Sequence, residues 1–169
     1  MKALVTGASS GIGYSIARCL SNMGYDLIVV ARRKDCLLNL KKECKTDVEI
    51  IPMDLSIISN VYKLYETTKK HDIDILVNNA GVGLYGEFYD IDLQKEMDML
   101  RLNIGATNIL TKLYLKDMVK KNKGKILNVS SIFGFMPGPL MSSYYASKAY
   151  ITSISRAINM ELKMKNINV

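Results

Sequence analysis

Lys2-Ala3-Leu4-Val5-Thr6-Gly7-Ala8-Ser9-Ser10-Gly11-Ile12-Gly13, continuing into Ser15-Ile16-Ala17-Arg18-Cys19-Leu20, decides the fold. A short β-rich run passes straight into a glycine-studded turn, and the turn opens a helical pattern. Gly7 permits the tight turn off the strand. Gly11 lets the backbone approach a pyrophosphate closely, and Gly13 lets the helix pack against the sheet. The helix N-terminus then offers unpaired N–H groups and a positive dipole end to the anion. A glycine trio alone is a weak signal, since any tight strand-to-helix turn may use one. Its place at the first junction of a repeating strand–helix pattern makes it a dinucleotide-binding turn.

Outward from that turn, β-rich runs at 2–6, 26–31, 48–53, 73–78 and 124–130 alternate with helical patterns. The helices are expected at 12–23, 34–45, 57–71, 88–121, broken near Asn103, and 143–165. A further strand begins at 166–169. The alternation predicts βαβ crossovers and a parallel sheet with both faces covered. The expected fold is therefore α/β, a three-layer doubly wound Rossmann arrangement in one domain, 1–169, with the last strands incomplete. A Gly/Pro-bearing loop, Phe133-Gly134-Phe135-Met136-Pro137-Gly138-Pro139, separates the fifth strand from the last helix.

At 169 residues and 49% hydrophobic content, the chain has material for a real core. Its apolar runs fall far short of the roughly 20 residues a membrane helix needs, so no membrane partner is expected. The first strand begins next to Met1 without room for a signal peptide, which points to a cytoplasmic location. Cys19, Cys36 and Cys44 are odd in number and lack CxxC spacing, and His71 is the only histidine. A disulfide framework, a metal site and a Ser-His-Asp hydrolase are all disfavoured. The net charge of +7 raises the question of nucleic acid. However, Lys112, Lys116, Lys120 and Lys123 recur opposite Ile109, Leu110, Leu113 and Met118, the pattern of a solvated helix face. No nucleic-acid partner is expected.

The end of the second strand selects the nucleotide. NAD sites usually place Asp or Glu there for the ribose 2′-OH. This chain has Ala31, then Arg32, Arg33 and Lys34. A carboxylate would repel a 2′-phosphate, whereas a guanidinium pairs with it bidentately. NADP(H) is thus favoured over NAD(H), with Arg32 as the phosphate ligand and Arg33 and Lys34 read as the start of a solvated helix.

Ser142-Ser143-Tyr144-Tyr145-Ala146-Ser147-Lys148 contains Tyr-x-x-x-Lys. A second such match, Tyr65 to Lys69, shows how little the pattern says alone. Context separates them: the strand Lys125-Ile126-Leu127-Asn128-Val129 upstream of Tyr144 ends in Ser130-Ser131, at the same sheet edge as the nucleotide turn. Tyr65 is better read as a helix-face residue. Tyr144 and Lys148 share one helix face. Bringing a free phenol, with a pKa near 10, into use at neutrality takes about 4 kcal/mol. A cation about 4 Å away supplies about that much at an effective dielectric of 20.

Together, Thr6 to Gly13, Asp54-Leu55, Asn78-Asn79-Ala80-Gly81, Asn103, Ser131 and Tyr144-x-x-x-Lys148 resemble the short-chain dehydrogenases/reductases in order and interval. The resemblance implies an NADP(H)-dependent oxidoreductase moving a hydride between the nicotinamide and a small-molecule carbonyl or secondary alcohol. Tyr144 would be the acid/base, Ser131 would orient the substrate oxygen, and Lys148 would hold the nicotinamide ribose and act on Tyr144. Asn103 would hold a water in a proton relay. Gly7, Ser9, Ser10, Gly11, Ile12, Gly13, Arg32, Asp54, Leu55, Asn79, Ala80, Gly81, Tyr144 and Lys148 would bind the cofactor, with Asp54 against the adenine. It also leaves open a homodimer through the two long helices of the C-terminal half.

Family members run to about 250 residues in one domain, and this chain stops where the sixth strand begins. The expectation is that it lacks the family's C-terminal substrate-lid region. A reading of a different class is a catalytically inactive nucleotide-binding or interaction protein on the same scaffold.

Overall fold

The computed structural model describes residues 1–169. Six parallel strands form one sheet: β1 (Lys2–Thr6), β2 (Asp26–Ala31), β3 (Val48–Pro52), β4 (Ile75–Asn78), β5 (Gly124–Asn128) and β6 (Ile167–Asn168). Their order is β3-β2-β1-β4-β5-β6. The helices are α1 (Gly11–Asn22), α2 (Lys34–Glu43), α3 (Ile58–Thr68), α4 (Leu93–Leu100), α5 (Thr107–Lys121) and α6 (Ser142–Glu161). None is long and apolar enough to cross a membrane.

Strand alternation divides the core in two. Ala3 and Val5 of β1, with Leu27 and Val29 of β2, meet Ala17 and Leu20 of α1 and Leu37 and Leu40 of α2. The intervening Leu4, Ile28 and Val30 face the other way, onto Val61 and Leu64 of α3 and Leu110, Tyr114 and Met118 of α5. Successive side chains of a strand point to opposite faces, so a sheet covered on both sides needs apolar residues at every position. That is why these strands read as unbroken apolar runs. The expected three-layer doubly wound α/β fold is the one observed.

Two expectations need correction. The helix predicted over 88–121 starts only at Leu93, where Asp92 Oδ1 caps it by accepting from Lys95 N–H at 2.9 Å. It does not break at Asn103. Instead α4 and α5 are joined by π-helical residues, Arg101–Ala106, so one rod runs from 93 to 121 with a widened middle. Such π turns keep the helix axis going while altering the hydrogen-bond register. Second, the loop after β5 contains a 3₁₀ turn, Ile132–Phe135, and the Phe133 ring stacks on Tyr145 with centroids 4.6 Å apart. The lysine face of α5 is exposed as expected, at Lys112, Lys116 and Lys120.

The strand order reverses direction of growth between β1 and β4, and there the two strand ends are tied together. Asn79, just past β4, donates from Nδ2 to the carbonyls of Thr6 and Gly7, each at 3.1 Å. The buried Thr6 hydroxyl accepts from the Asn79 and Ala80 N–H groups at 3.0 and 3.1 Å and donates to Val77 O. Gly7 has φ +66°, and a Cβ there would stand 2.7 Å from Asn79 Nδ2. A Cβ on Gly13 would collide with the same carboxamide and with Gly7 O.

Gly13→Ala is therefore expected to destabilise the protein by about 1–3 kcal/mol, the usual cost of overpacking. Urea denaturation should show a lower midpoint with an unchanged slope; a midpoint equal to that of the unsubstituted protein would refute the close packing.

Candidate active site

A cleft of about 430 Å³ opens at the C-terminal ends of the strands, over the reversal between β1 and β4. This is where open parallel sheets bind ligands. Its walls include Gly7, Ser9, Ser10 and Ile12 from the glycine turn, Arg32 and Arg33 after β2, and Asp54 and Leu55 after β3. Asn79, Ala80 and Gly81 after β4, Ser130 after β5, and Tyr144 and Lys148 of α6 also face it. Loops after five strands, with α6, thus bring together residues as far apart in sequence as Gly7 and Lys148.

The glycine turn is suited to an anion. The cap residue of α1, Ser10, makes no side-chain capping bond, and the first turn holds no acidic residue. Gly11 has φ +59° and open space where a Cβ would be. The free N–H groups of the helix start, the dipole and the open approach together fit a phosphate. Gly11 and Gly13 lie outside the cleft lining; Gly13 acts from beneath, by letting α1 close on Asn79.

The arginine assignment changes. Arg33, expected to be solvated, lies across the turn and donates from Nη2 to Ser9 Oγ at 3.1 Å and Ser10 Oγ at 2.8 Å. It is the residue before α2, so the helix start holds its backbone beside the glycine turn. Arg32 has a side chain 70% exposed and only a long 3.9 Å pair with Asp54 Oδ2, an interaction worth little in water. Both guanidiniums line the cleft. Asp54 meanwhile accepts from Ser56 N–H and Oγ–H through Oδ1, at 2.9 and 2.7 Å, so it organises the turn into α3 as well as facing the cleft.

On α6, Lys148 is 6% exposed. Its Nζ donates to Val129 O at 2.9 Å and lies 5.8 Å from the Tyr144 ring centroid. No carboxylate pairs with it, and burial holds its ammonium below the usual lysine range. A Cβ on Gly81 would stand a tight 3.2 Å from Asn103 Oδ1 and at ordinary contact distance, 3.5 Å, from Lys148 Nζ. The Tyr144 ring lies against Gly83 and meets the Phe133 ring edge-on at 6.4 Å.

Asn103 and Ser131 are close by but outside the cleft lining. Asn103, 1% exposed, grips the backbone of Val82 in both directions, Oδ1 accepting its N–H at 3.0 Å and Nδ2 donating to its O at 2.9 Å. Nδ2 also reaches Ser147 Oγ at 3.1 Å. Both amide protons are committed, and Oδ1 already accepts one bond. Ser130 lines the cleft instead of Ser131, but its hydroxyl is bound to Lys148 O and Thr152. Ser131 Oγ accepts from Phe133 N–H at 3.2 Å, which leaves its own proton free to donate.

Tyr65, the rival Tyr-x-x-x-Lys, is far from this chemistry. Its hydroxyl donates to Asp117 Oδ2 at 2.7 Å, and burial together with that carboxylate pushes its pKa up to about 12. Residues missed by the sequence reading are Arg33, whose only signal was the doubled arginine after β2, and Thr6, a hydroxyl closing an apolar strand.

The family model of the short chain dehydrogenases matches residues 1–169. Hydroxysteroid dehydrogenase-like protein 1 of Gallus gallus is 36% identical over 174 residues, which cover 99% of this chain and 53% of that protein. An uncharacterized oxidoreductase of Staphylococcus epidermidis is 32% identical over 169 residues, covering 99% and 74%. Among solved structures, a short-chain dehydrogenase from Sphingobium yanoikuyae in complex with NADPH matches with a TM-score of 0.92 at 33% identity, over 98% of this chain and 67% of that one. The chain thus spans about half the length of the first relative and about three quarters of the second. With the glycine turn, the Asn79 tie and the Tyr144–Lys148 pair in one cleft and a family match along its whole length, this chain belongs to the short-chain dehydrogenases.

Proposed function

We propose that the protein is an NADP(H)-dependent oxidoreductase that interconverts a carbonyl compound and a secondary alcohol. The observation that carries this is the convergence of an anion-binding turn, two arginines and a half-buried tyrosine beside a buried lysine on one cleft. The turn and the α1 N-terminus would take the pyrophosphate, and Arg32 and Arg33 the 2′-phosphate. Asp54 and Leu55 would border the adenine. Asn79, Ala80 and Gly81, which line the cleft with Lys148, would border the remainder of the dinucleotide.

NADPH held by these residues would supply the hydride for the substrate carbon. The protein's own work is positional and electrostatic. The Tyr144 hydroxyl gives its proton to the carbonyl oxygen in reduction and takes one back in oxidation. Ser131, its oxygen engaged by Phe133 N–H, donates its remaining proton to the same oxygen and so orients it. Lys148 is held by Val129 O with no carboxylate to neutralise it, so its positive field acts on Tyr144 and on the ribose hydroxyls. Asn103 keeps Val82, and with it the Gly81–Gly83 wall, in place.

Tyr144→Phe should lower the rate of NADPH oxidation with a panel of ketones by about 10²–10⁴-fold, the span of general acid–base catalysis, while NADPH binding measured by fluorescence titration stays the same. Rapid turnover by the Phe variant would sink the mechanism. Replacing Arg32 and Arg33 together by alanine should weaken NADPH binding by about tenfold or more, because charge-assisted hydrogen bonds to the phosphate are lost. NADH binding should stay within roughly twofold, since it carries no 2′-phosphate. Equal losses for the two nucleotides would remove the arginines from phosphate recognition.

A further inference from the structure

Glu96 is a buried carboxylate with no part in the scheme above. It lies on the inner side of α4, 8% exposed, and joins none of the chain's ion pairs. An ionisable side chain out of water without a cation partner is costly unless it serves hydrogen bonds. Its Oε1 accepts from the hydroxyl of Ser143, the residue beside Tyr144.

Ser143 is in the first turn of α6, and that turn is otherwise poorly capped. Met141, the residue before it, provides no side-chain acceptor, and the turn contains no acidic residue of its own. Glu96 supplies from a neighbouring helix the negative group that a helix N-terminus favours. Further along the same rod, Asn103 Nδ2 donates to Ser147 Oγ at 3.1 Å, and Ser147 Oγ donates to Tyr144 O at 2.7 Å. Ser143 and Ser147 are one helical turn apart, and Tyr144 lies between them. The rod therefore grips the Tyr144-bearing turn at both ends, through Glu96 at one and Asn103 at the other.

On the reading that Tyr144 is the proton donor, we propose that Glu96 is a positioning residue for it: the Glu96–Ser143 bond fixes the first turn of α6 against α4 and thereby sets the approach of the phenol to the substrate oxygen. Proton transfer and hydride transfer both depend steeply on sub-ångström placement. A loosened first turn would lower turnover without touching the glycine turn or the arginines, which lie on other elements.

The test compares Glu96→Ala, Glu96→Gln and Ser143→Ala in the intact protein. Glutamine keeps an acceptor oxygen for Ser143, and Ser143→Ala removes the same bond from the other side. The reporter is the Tyr145 amide, which bonds to Met141 O at 3.0 Å in that first turn, followed by hydrogen exchange. In Glu96→Ala and Ser143→Ala it should exchange at least about tenfold faster, with kcat lowered roughly tenfold and the KM for NADPH unchanged. Glu96→Gln should restore both within about twofold. Unchanged exchange and kcat in the alanine variants would overturn the proposal, as would a loss expressed only in the NADPH KM or one that glutamine does not rescue. If the unsubstituted protein reduces no carbonyl compound, the oxidoreductase reading fails. The exchange rates then decide the tether alone: faster exchange rescued by glutamine upholds it, and unchanged exchange refutes it.

Discussion

The carboxamide of Asn79 bonded to the Thr6 and Gly7 carbonyls is the constraint on which the rest of the molecule hangs. It joins the C-terminal ends of β1 and β4, neighbouring strands from which the sheet grows in opposite directions. A crevice must form where crossovers diverge to the two faces, and Asn79 fixes its floor. The glycine requirements follow from it. Gly7 turns with positive φ over the carboxamide, and Gly13 lets α1 descend onto it. An apolar residue in place of Asn79 would leave two inward-facing carbonyls without donors, a cost that buried backbone seldom tolerates.

A second dependency runs from the rod of α4, the π segment and α5 to α6. Asn103 is bonded to Val82 and Ser147, so the rod holds both the loop after β4 and the helix carrying Tyr144. Lys148 is placed within that frame, buried and bound only to Val129 O. A cation kept out of water with no counter-ion works against stability. Such a placement is reasonable where its field serves chemistry, because electrostatic effects gain in strength as water is excluded. On the proposed mechanism, stability and chemistry pull apart at this one side chain.

Much of this was legible in the chain. Every strand was placed to within two residues at either end, and β1, β2 and β4 most readily, because a strand covered on both sides leaves an apolar run. The glycine turn and the Tyr144–Lys148 pair were found by their setting in the βαβ order. The helix at 103 was misread as broken: Asn103 and Gly105 look like helix breakers locally, yet the π turn absorbs them, since the Asn103 carboxamide finds its partners in Val82 and Ser147. Arg33 was assigned to solvent because nothing in one dimension says how far the start of α2 lies from the turn after β1. The family interval singles out Ser131, and the hydrogen bonds show that its neighbour Ser130 is the one whose hydroxyl is committed to Lys148 O and Thr152.

What the sequence determined by itself is the set of local preferences: apolar period, glycine positions and the charges at the ends of strands. These are properties of residues and near neighbours, and they suffice for an α/β sheet with a nucleotide turn. Tertiary structure alone decided which polar groups are satisfied and by whom. Asn79 beneath two glycines, Arg33 across Ser9 and Ser10, and Glu96 on Ser143 join residues 23 to 73 positions apart. Hydrogen bonds act over about 3 Å, so their pairing is settled only when packing of the apolar core has brought distant segments within that reach.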